Sequence, residues 1–133
     1  MAKVYIALVG GQPTPVYLGI IGTRPNRVEL IVSPESRNQV TTIRQLLPPP
    51  LPIITHELSP IDPVETHRLA ELLAAQYAED EVYMNISSGT KSWSHIFGYV
   101  FQSMPNAHVI YVDQNNNIWD YRTDSVLMVA HLI

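Results

Sequence analysis

A three-layer α/β sandwich around a mostly parallel sheet is the fold this sequence predicts. Three observations predict it. Short apolar runs of strand length alternate with segments whose apolar residues recur at helical spacing. The two earliest runs, Val4–Val9 and Arg27–Val32, read as buried strands. Gly, Pro, Ser and Asn gather at the junctions between runs. Strands alternating with helices give right-handed crossovers and helices on both faces. The expected arrangement is Rossmann-like, with strand order 3-2-1-4-5 and an antiparallel sixth strand at one edge.

Val4–Val9 (VYIALV) is the first strand, ended by Gly10-Gly11. Pro13–Ile21 carries a short helix, with Thr14 as its cap and Pro15 at its first position. Thr23-Arg24-Pro25-Asn26 turns the chain into the second strand, Arg27–Val32. Ser33-Pro34-Glu35-Ser36 opens a helix bearing Val40, Ile43, Leu46 and Leu47. It stops at Pro48-Pro49-Pro50, a stiff extended connector. Ile53–Leu58 is the third strand, and Ser59–Pro63 its loop. Asp62 followed by Pro63 starts a helix over Val64–Tyr77, with Leu69, Leu72 and Leu73 on its inner side. Asp62 and Glu65 read as cap and dipole partners rather than as acid and base. Glu81–Ile86 is the fourth strand. Trp93, Ile96, Phe97, Val100, Phe101 and Met104 then repeat at helical spacing and mark a core-facing stripe. Ala107–Asp113 is the fifth strand, Gln114–Asn117 a turn, and Ile118–Tyr121 the antiparallel sixth. The tail, Asp124–Ile133, is too apolar to lie free. It reads as an extra edge element, a subunit contact or the start of something longer.

The 133 residues have room for one domain with a proper core and not two. A net charge of -4 excludes a broad basic face for duplex DNA or RNA, so any bound anion needs a local site. Without cysteine there are no disulfides and no cysteine-ligated zinc. No signal-peptide pattern opens the chain and no apolar run is long enough to span a membrane, so a cytoplasmic location is expected. The five histidines show no paired-ligand spacing, and no metal or other cofactor is expected.

Between the fourth strand and its helix stand Ser87-Ser88-Gly89-Thr90-Lys91, small or cationic throughout. A sharp strand-to-helix turn leaves backbone N–H groups unpaired at the positive end of the helix dipole, which favours an anion such as phosphate. Ordinary capping needs only one such residue. In the predicted strand order, strands one and four are neighbours where the winding reverses, the place at which such sheets bind ligands. That brings Gly10-Gly11-Gln12-Pro13-Thr14 beside Ser87–Lys91, with Ser33 and Ser36 flanking the same crevice. The dinucleotide fingerprint G-x-G-x-x-G is absent, no acidic residue closes strand two, and Gly89-Thr90-Lys91-Ser92 lacks the glycine spacing of a P-loop.

The run Met84-Asn85-Ile86-Ser87-Ser88-Gly89-Thr90-Lys91-Ser92 resembles the signature of CARF (CRISPR-associated Rossmann fold) domains, in the subgroup reading Asn-x-Thr-Gly-Gly-Thr-Lys. Here Ser87 and Ser88 stand where that subgroup has Thr and Gly. Gly10–Pro15, Val28–Ser33 with Glu35-Ser36, and Tyr111-Val112-Asp113 are similar to its other motifs, and the likeness spans residues 3 to 122. It implies a single domain over 1–133, with the apolar element 124–133 outside its core. It implies a homodimer binding cyclic oligoadenylate, most naturally cyclic tetra-adenylate, across its two-fold axis in type III CRISPR defence. On that model Gly10, Gly11, Asn85, Ser87, Ser88, Gly89, Thr90 and Lys91 form the ligand site with Gln12, Thr14, Ser33 and Ser36. Backbone N–H groups of Ser88–Lys91 would hold phosphate, and Gln12, Thr14 and Ser36 would reach ribose or adenine.

A stand-alone CARF domain resembles a metal-independent ring nuclease, in which a ribose 2′-OH attacks the adjacent phosphate and leaves a 2′,3′-cyclic phosphate. Lys91 would stabilise the developing charge, with Gln12 or Thr14 orienting the hydroxyl. Two other readings stay open: a non-cleaving sensor module that is part of, or partner to, an effector nuclease, and a domain for an unrelated mononucleotide.

Overall fold

The computed structural model describes residues 1–47 and 50–129. In chain order the elements are β1 (Lys3–Leu8), α1 (Thr14–Thr23), β2 (Arg27–Val32), α2 (Gln39–Leu46), β3 (Ile53–Glu57) and α3 (Pro63–Gln76). Then come β4 (Glu81–Asn85), α4 (Lys91–Gln102), β5 (Ala107–Val112), β6 (Asn117–Asp120) and β7 (Ser125–Val129). They build one sheet of order β3-β2-β1-β4-β5-β6-β7, parallel through β5 and antiparallel from there on. The expected Rossmann-like order is the observed one, with one strand more.

That extra strand comes from the tail. Ser125–Val129 pairs antiparallel with β6, so this part of the apolar segment is an edge element. Residues 130–133, and Pro48-Pro49 of the expected connector, lie outside the described residues. No helix of the described chain is long and apolar enough to cross a membrane.

Alternation along the central strand divides the core. Tyr5, Ala7 and Val9 point to the α1/α2 side, where Val16, Leu18, Leu30 and Ile43 pack against them. Val4, Ile6 and Leu8 point to the other side, beneath Leu73, Trp93, Phe97 and Phe101 of α3 and α4. A strand enclosed on both faces has to be apolar nearly throughout, which is why β1 reads so plainly. Asp62 caps α3, its carboxylate accepting the Val64 and Glu65 N–H groups at 3.0 and 3.3 Å. At the β5–β6 turn Asp113 accepts the Trp119 indole N–H at 3.0 Å and the Asn115 and Asn117 N–H groups at 2.8 and 2.9 Å. These bonds hold its pKa down to about 2, below the ordinary 3.8.

Four expectations need correction. Thr14 is the first helical residue and not the cap; Pro13 holds the cap position and makes no side-chain cap bond. The helix also runs on through Thr23, whose hydroxyl donates to the Gly19 carbonyl at 2.8 Å. The second helix starts at Gln39, because Ser33 and Ser36 satisfy each other in a turn first: Ser36 Oγ accepts the Ser33 N–H at 2.9 Å, and Ser33 Oγ the Ser36 N–H at 3.2 Å. Leu72 faces solvent at 60% exposure, and Thr66, Ala70 and Leu73 make the buried stripe of α3 instead.

Candidate functional site

Because β1 and β4 pair in parallel from Lys3↔Glu81 to Ala7↔Asn85, their carboxyl ends release two loops side by side. The loops touch. A Cβ built on Gly10 would lie 3.0 Å from the Gly89 nitrogen and 3.4 Å from the Ser88 Cβ. Gly89 itself has φ +85°, and a Cβ there would meet the Leu8 Cβ and the Trp93 ring, each at 3.0 Å. Gly11, by contrast, faces open space.

Thr90 caps α4 through Oγ1, which accepts the Trp93 N–H at 3.0 Å. Among the described residues, the N–H groups of Ser88, Gly89, Thr90, Lys91 and Ser92 find no partner. Donors left open at a helix start carry the positive end of the dipole, so this loop is electropositive although the chain is net acidic.

Beneath the loops a buried network fixes their position. The Asn85 side chain donates to the Tyr5 hydroxyl at 2.7 Å and to the Pro15 carbonyl at 3.2 Å, and accepts the Ser87 N–H at 2.9 Å. Tyr5 donates onward to the Val16 carbonyl at 2.8 Å. Burial pushes its phenol pKa far up, partly offset by the bond from Asn85, so the hydroxyl stays neutral and keeps its proton to donate. Ser87 Oγ accepts the Val112 N–H at 2.7 Å and donates to Asn85 Oδ1, which ties the loop to the end of β5. Asn85 and Ser87 therefore brace the loop from inside.

A small hollow of about 160 Å³ opens where the loops meet. Of the residues singled out from sequence, Gly10, Gly11, Ser33, Ser36, Gly89 and Thr90 line it. Gln12 and Lys91 stand exposed beside it and Thr14 is half-buried at the start of α1, all three outside its lining; Ser88 touches Gly10 from the rim. Sequence reasoning gave no site role to Glu35, named only within the Glu35-Ser36 motif, or to Trp93. Trp93 was assigned to the core, where most of it lies, and Glu35 enters because the Ser33–Ser36 turn carries it over the hollow.

A larger hollow of about 640 Å³ lies at the opposite end of the sheet, among Ile20, Arg24, Leu47 and Leu51. It is walled mainly by apolar side chains and prolines and, among the described residues, gathers no run of open backbone donors, so the smaller hollow is the candidate site. Among the described residues no three His, Asp or Glu side chains gather as a group fit to hold a metal ion.

Fold and hollow together define a Rossmann-like α/β domain with open backbone donors at its topological switch point. No protein-family model matches the chain, and no curated protein does. Solved structures do match. Can2 from Sulfobacillus thermosulfidooxidans in complex with cyclic tetra-adenylate is similar at a TM-score of 0.84 and 21% identity, over 96% of this chain and 37% of that one. A type III CRISPR defence DNA nuclease activated by cyclic oligoadenylate gives 0.71 at 21% identity, over 92% and 20%. Enterococcus italicus Csm6 bound to cyclic hexa-2′-fluoro-hexa-dAMP gives 0.66 at 14%, over 86% and 34%. The chain thus spans between 20% and 37% of the length of these proteins. At such identities the likeness is one of fold, and it agrees with the CARF resemblance carried by Asn85–Ser92.

Proposed function

We propose that this chain is a CARF domain that binds cyclic oligoadenylate, with cyclic tetra-adenylate as its preferred ring, across a homodimer. The observation that carries the reading is the contact of the Gly10 loop with the Gly89 loop, beside five backbone N–H groups left open. Phosphate is the natural occupant of such donors. A hollow of about 160 Å³ falls short of the roughly 300–1,000 Å³ that encloses a whole small ligand, so one protomer encloses only part of the ring and serves half of it. A ring with two-fold symmetry then uses the same patch on each of two protomers.

We further propose that the domain cleaves its ligand as a metal-independent ring nuclease, ending the signal. The ribose 2′ oxygen attacks the adjacent phosphorus in line and gives up its proton to solvent, the bond to the 5′ oxygen breaks with that oxygen taking a proton from solvent, and a 2′,3′-cyclic phosphate remains. Lys91, exposed on the first turn of α4, offers its ammonium to the extra negative charge. Gln12 or Thr14 orients the hydroxyl for that attack. Incubating the protein in excess with cyclic tetra-adenylate in EDTA tests this: linear product ending in cyclic phosphate is expected. Ligand that binds and stays intact would leave the sensor reading, which is favoured by the neighbour described as activated by cyclic oligoadenylate.

A further inference from the structure

One charged side chain in the hollow has no place in that account. Glu35 lines it together with Gly10, Gly89 and Thr90, from a turn three residues beyond the end of β2. The turn is well fixed: Ser36 Oγ accepts the Ser33 N–H at 2.9 Å, and the Ser33 carbonyl accepts the Ser36 and Arg37 N–H groups at 3.1 and 3.0 Å. Among the described residues Glu35 joins no ion pair, while the adjacent cation, Arg37, is drawn off to Glu57 at 3.2 Å. A carboxylate repels phosphate, so what it meets in a phosphate-binding hollow must be an uncharged donor. A nucleotide offers two, the ribose hydroxyl and the amines of the base. In so small a space, whatever meets Glu35 is bonded closely to the phosphate on the Gly89–Ser92 donors. The sugar is joined to that phosphate directly, whereas the base hangs one sugar away. In a 3′–5′ linked ring the only free sugar hydroxyl is the 2′-OH.

We infer that Glu35 accepts a hydrogen bond from the ligand's ribose 2′-OH and is the residue that distinguishes ribose from deoxyribose in this site. The inference rests on the oligoadenylate reading above. It assigns to a turn residue the task that an acid at the end of the second strand performs in dinucleotide-binding folds, by the same donor-to-carboxylate chemistry.

The test compares binding of cyclic tetra-adenylate with that of its all-2′-deoxy counterpart, for wild type, Glu35→Ala and Glu35→Gln, by calorimetry. Neither substitution threatens the fold, since the side chain is exposed. A hydrogen bond to a charged acceptor predicts that wild type prefers the ribo ring by roughly tenfold to a hundredfold. Glu35→Ala should shrink that ratio to within about threefold, with Glu35→Gln between, a pattern that general loss of negative charge would not give, because it raises affinity for both rings alike. A ribo-to-deoxy ratio that is the same in wild type and Glu35→Ala overturns the inference and leaves the oligoadenylate reading standing. Failure of wild type to bind the ribo ring overturns both.

Discussion

The Gly10 Cα and the Gly89 backbone nitrogen stand so close that a single added Cβ on Gly10 would come within 3.0 Å of that nitrogen. Two loops separated by most of the chain thus approach each other closely, backbone against backbone at Gly10 and Gly89. Gly89 is the more exacting of the two, since its φ of +85° lies where a side chain is strained and both Leu8 and Trp93 crowd it. Gly89→Ala should cost about 2 kcal/mol in denaturant unfolding and weaken ligand binding, from left-handed strain plus the clash. Gly11→Ala meets nothing within 4 Å and should change stability by less than about 0.5 kcal/mol. Equal effects at the two positions would refute the close approach.

Gly19 reverses an ordinary rule. In a helix interior Gly→Ala gains up to about 1 kcal/mol. At Gly19 a Cβ would press on the Tyr5 hydroxyl and come within 2.8 Å of Asn85 Nδ2, inside the network under the site. Overpacking of this kind costs about 1–3 kcal/mol and the displaced bonds add to it, so the loss exceeds the helical gain. Gly19→Ala should therefore lower the unfolding midpoint, and ligand affinity with it through Asn85. A stabilised Gly19→Ala protein would show that this contact is slack.

How far the sequence alone could lead is decided residue by residue. The strand order and the meeting of the Gly10 and Gly89 loops were readable, because buried strands are apolar on both faces and a close backbone approach demands glycine. The start of α2 was not, since Ser33 and Ser36 carry the same residue types whether they cap a helix or bond each other in a turn. For the tail, apolar character required burial or pairing without choosing between an edge strand and a subunit contact. Glu35 stands in the Glu35-Ser36 motif but drew no role of its own, because nothing local distinguishes it from a surface carboxylate; only the path of the turn sets it over the hollow. Glu29, read as part of a buried strand, finds its partners 27 and 48 residues away on other elements, beyond any local pattern.

Lys91 separates chemistry from fold. The residue is exposed at the first turn of α4, so Lys91→Ala should unfold within about 0.5 kcal/mol of wild type. If its ammonium meets charge that develops on the phosphate, the single-turnover cleavage rate should fall about a hundredfold or more, with a smaller loss of affinity. An unchanged cleavage rate would remove Lys91 from the mechanism.

Glu29 should govern stability in acid. Its carboxylate, 1% exposed, lies 2.5 Å from His56 Nε2, accepts the Tyr77 hydroxyl at 2.6 Å and faces Arg27 Nε at 3.1 Å. Burial by itself raises its pKa, but the bonds from His56, Tyr77 and Arg27 outweigh burial and leave it below the ordinary 4.5. Tyr77 moves the other way, pushed up to about 12 by burial and by the carboxylate it serves, so it remains a donor. A carboxylate whose folded pKa is depressed adds stability that is present above its unfolded pKa and lost as pH falls through the folded value. Unfolding free energy should therefore decline as pH drops below about 4.5, and the decline should be shallower in Glu29→Gln. At pH 7 the same substitution should cost about 1–3 kcal/mol, since Tyr77 and Arg27 lose a charged acceptor in a buried setting. Denaturant melts between pH 3 and pH 7 on both proteins measure the two slopes, and parallel curves would mean that Glu29 binds its proton equally well folded and unfolded.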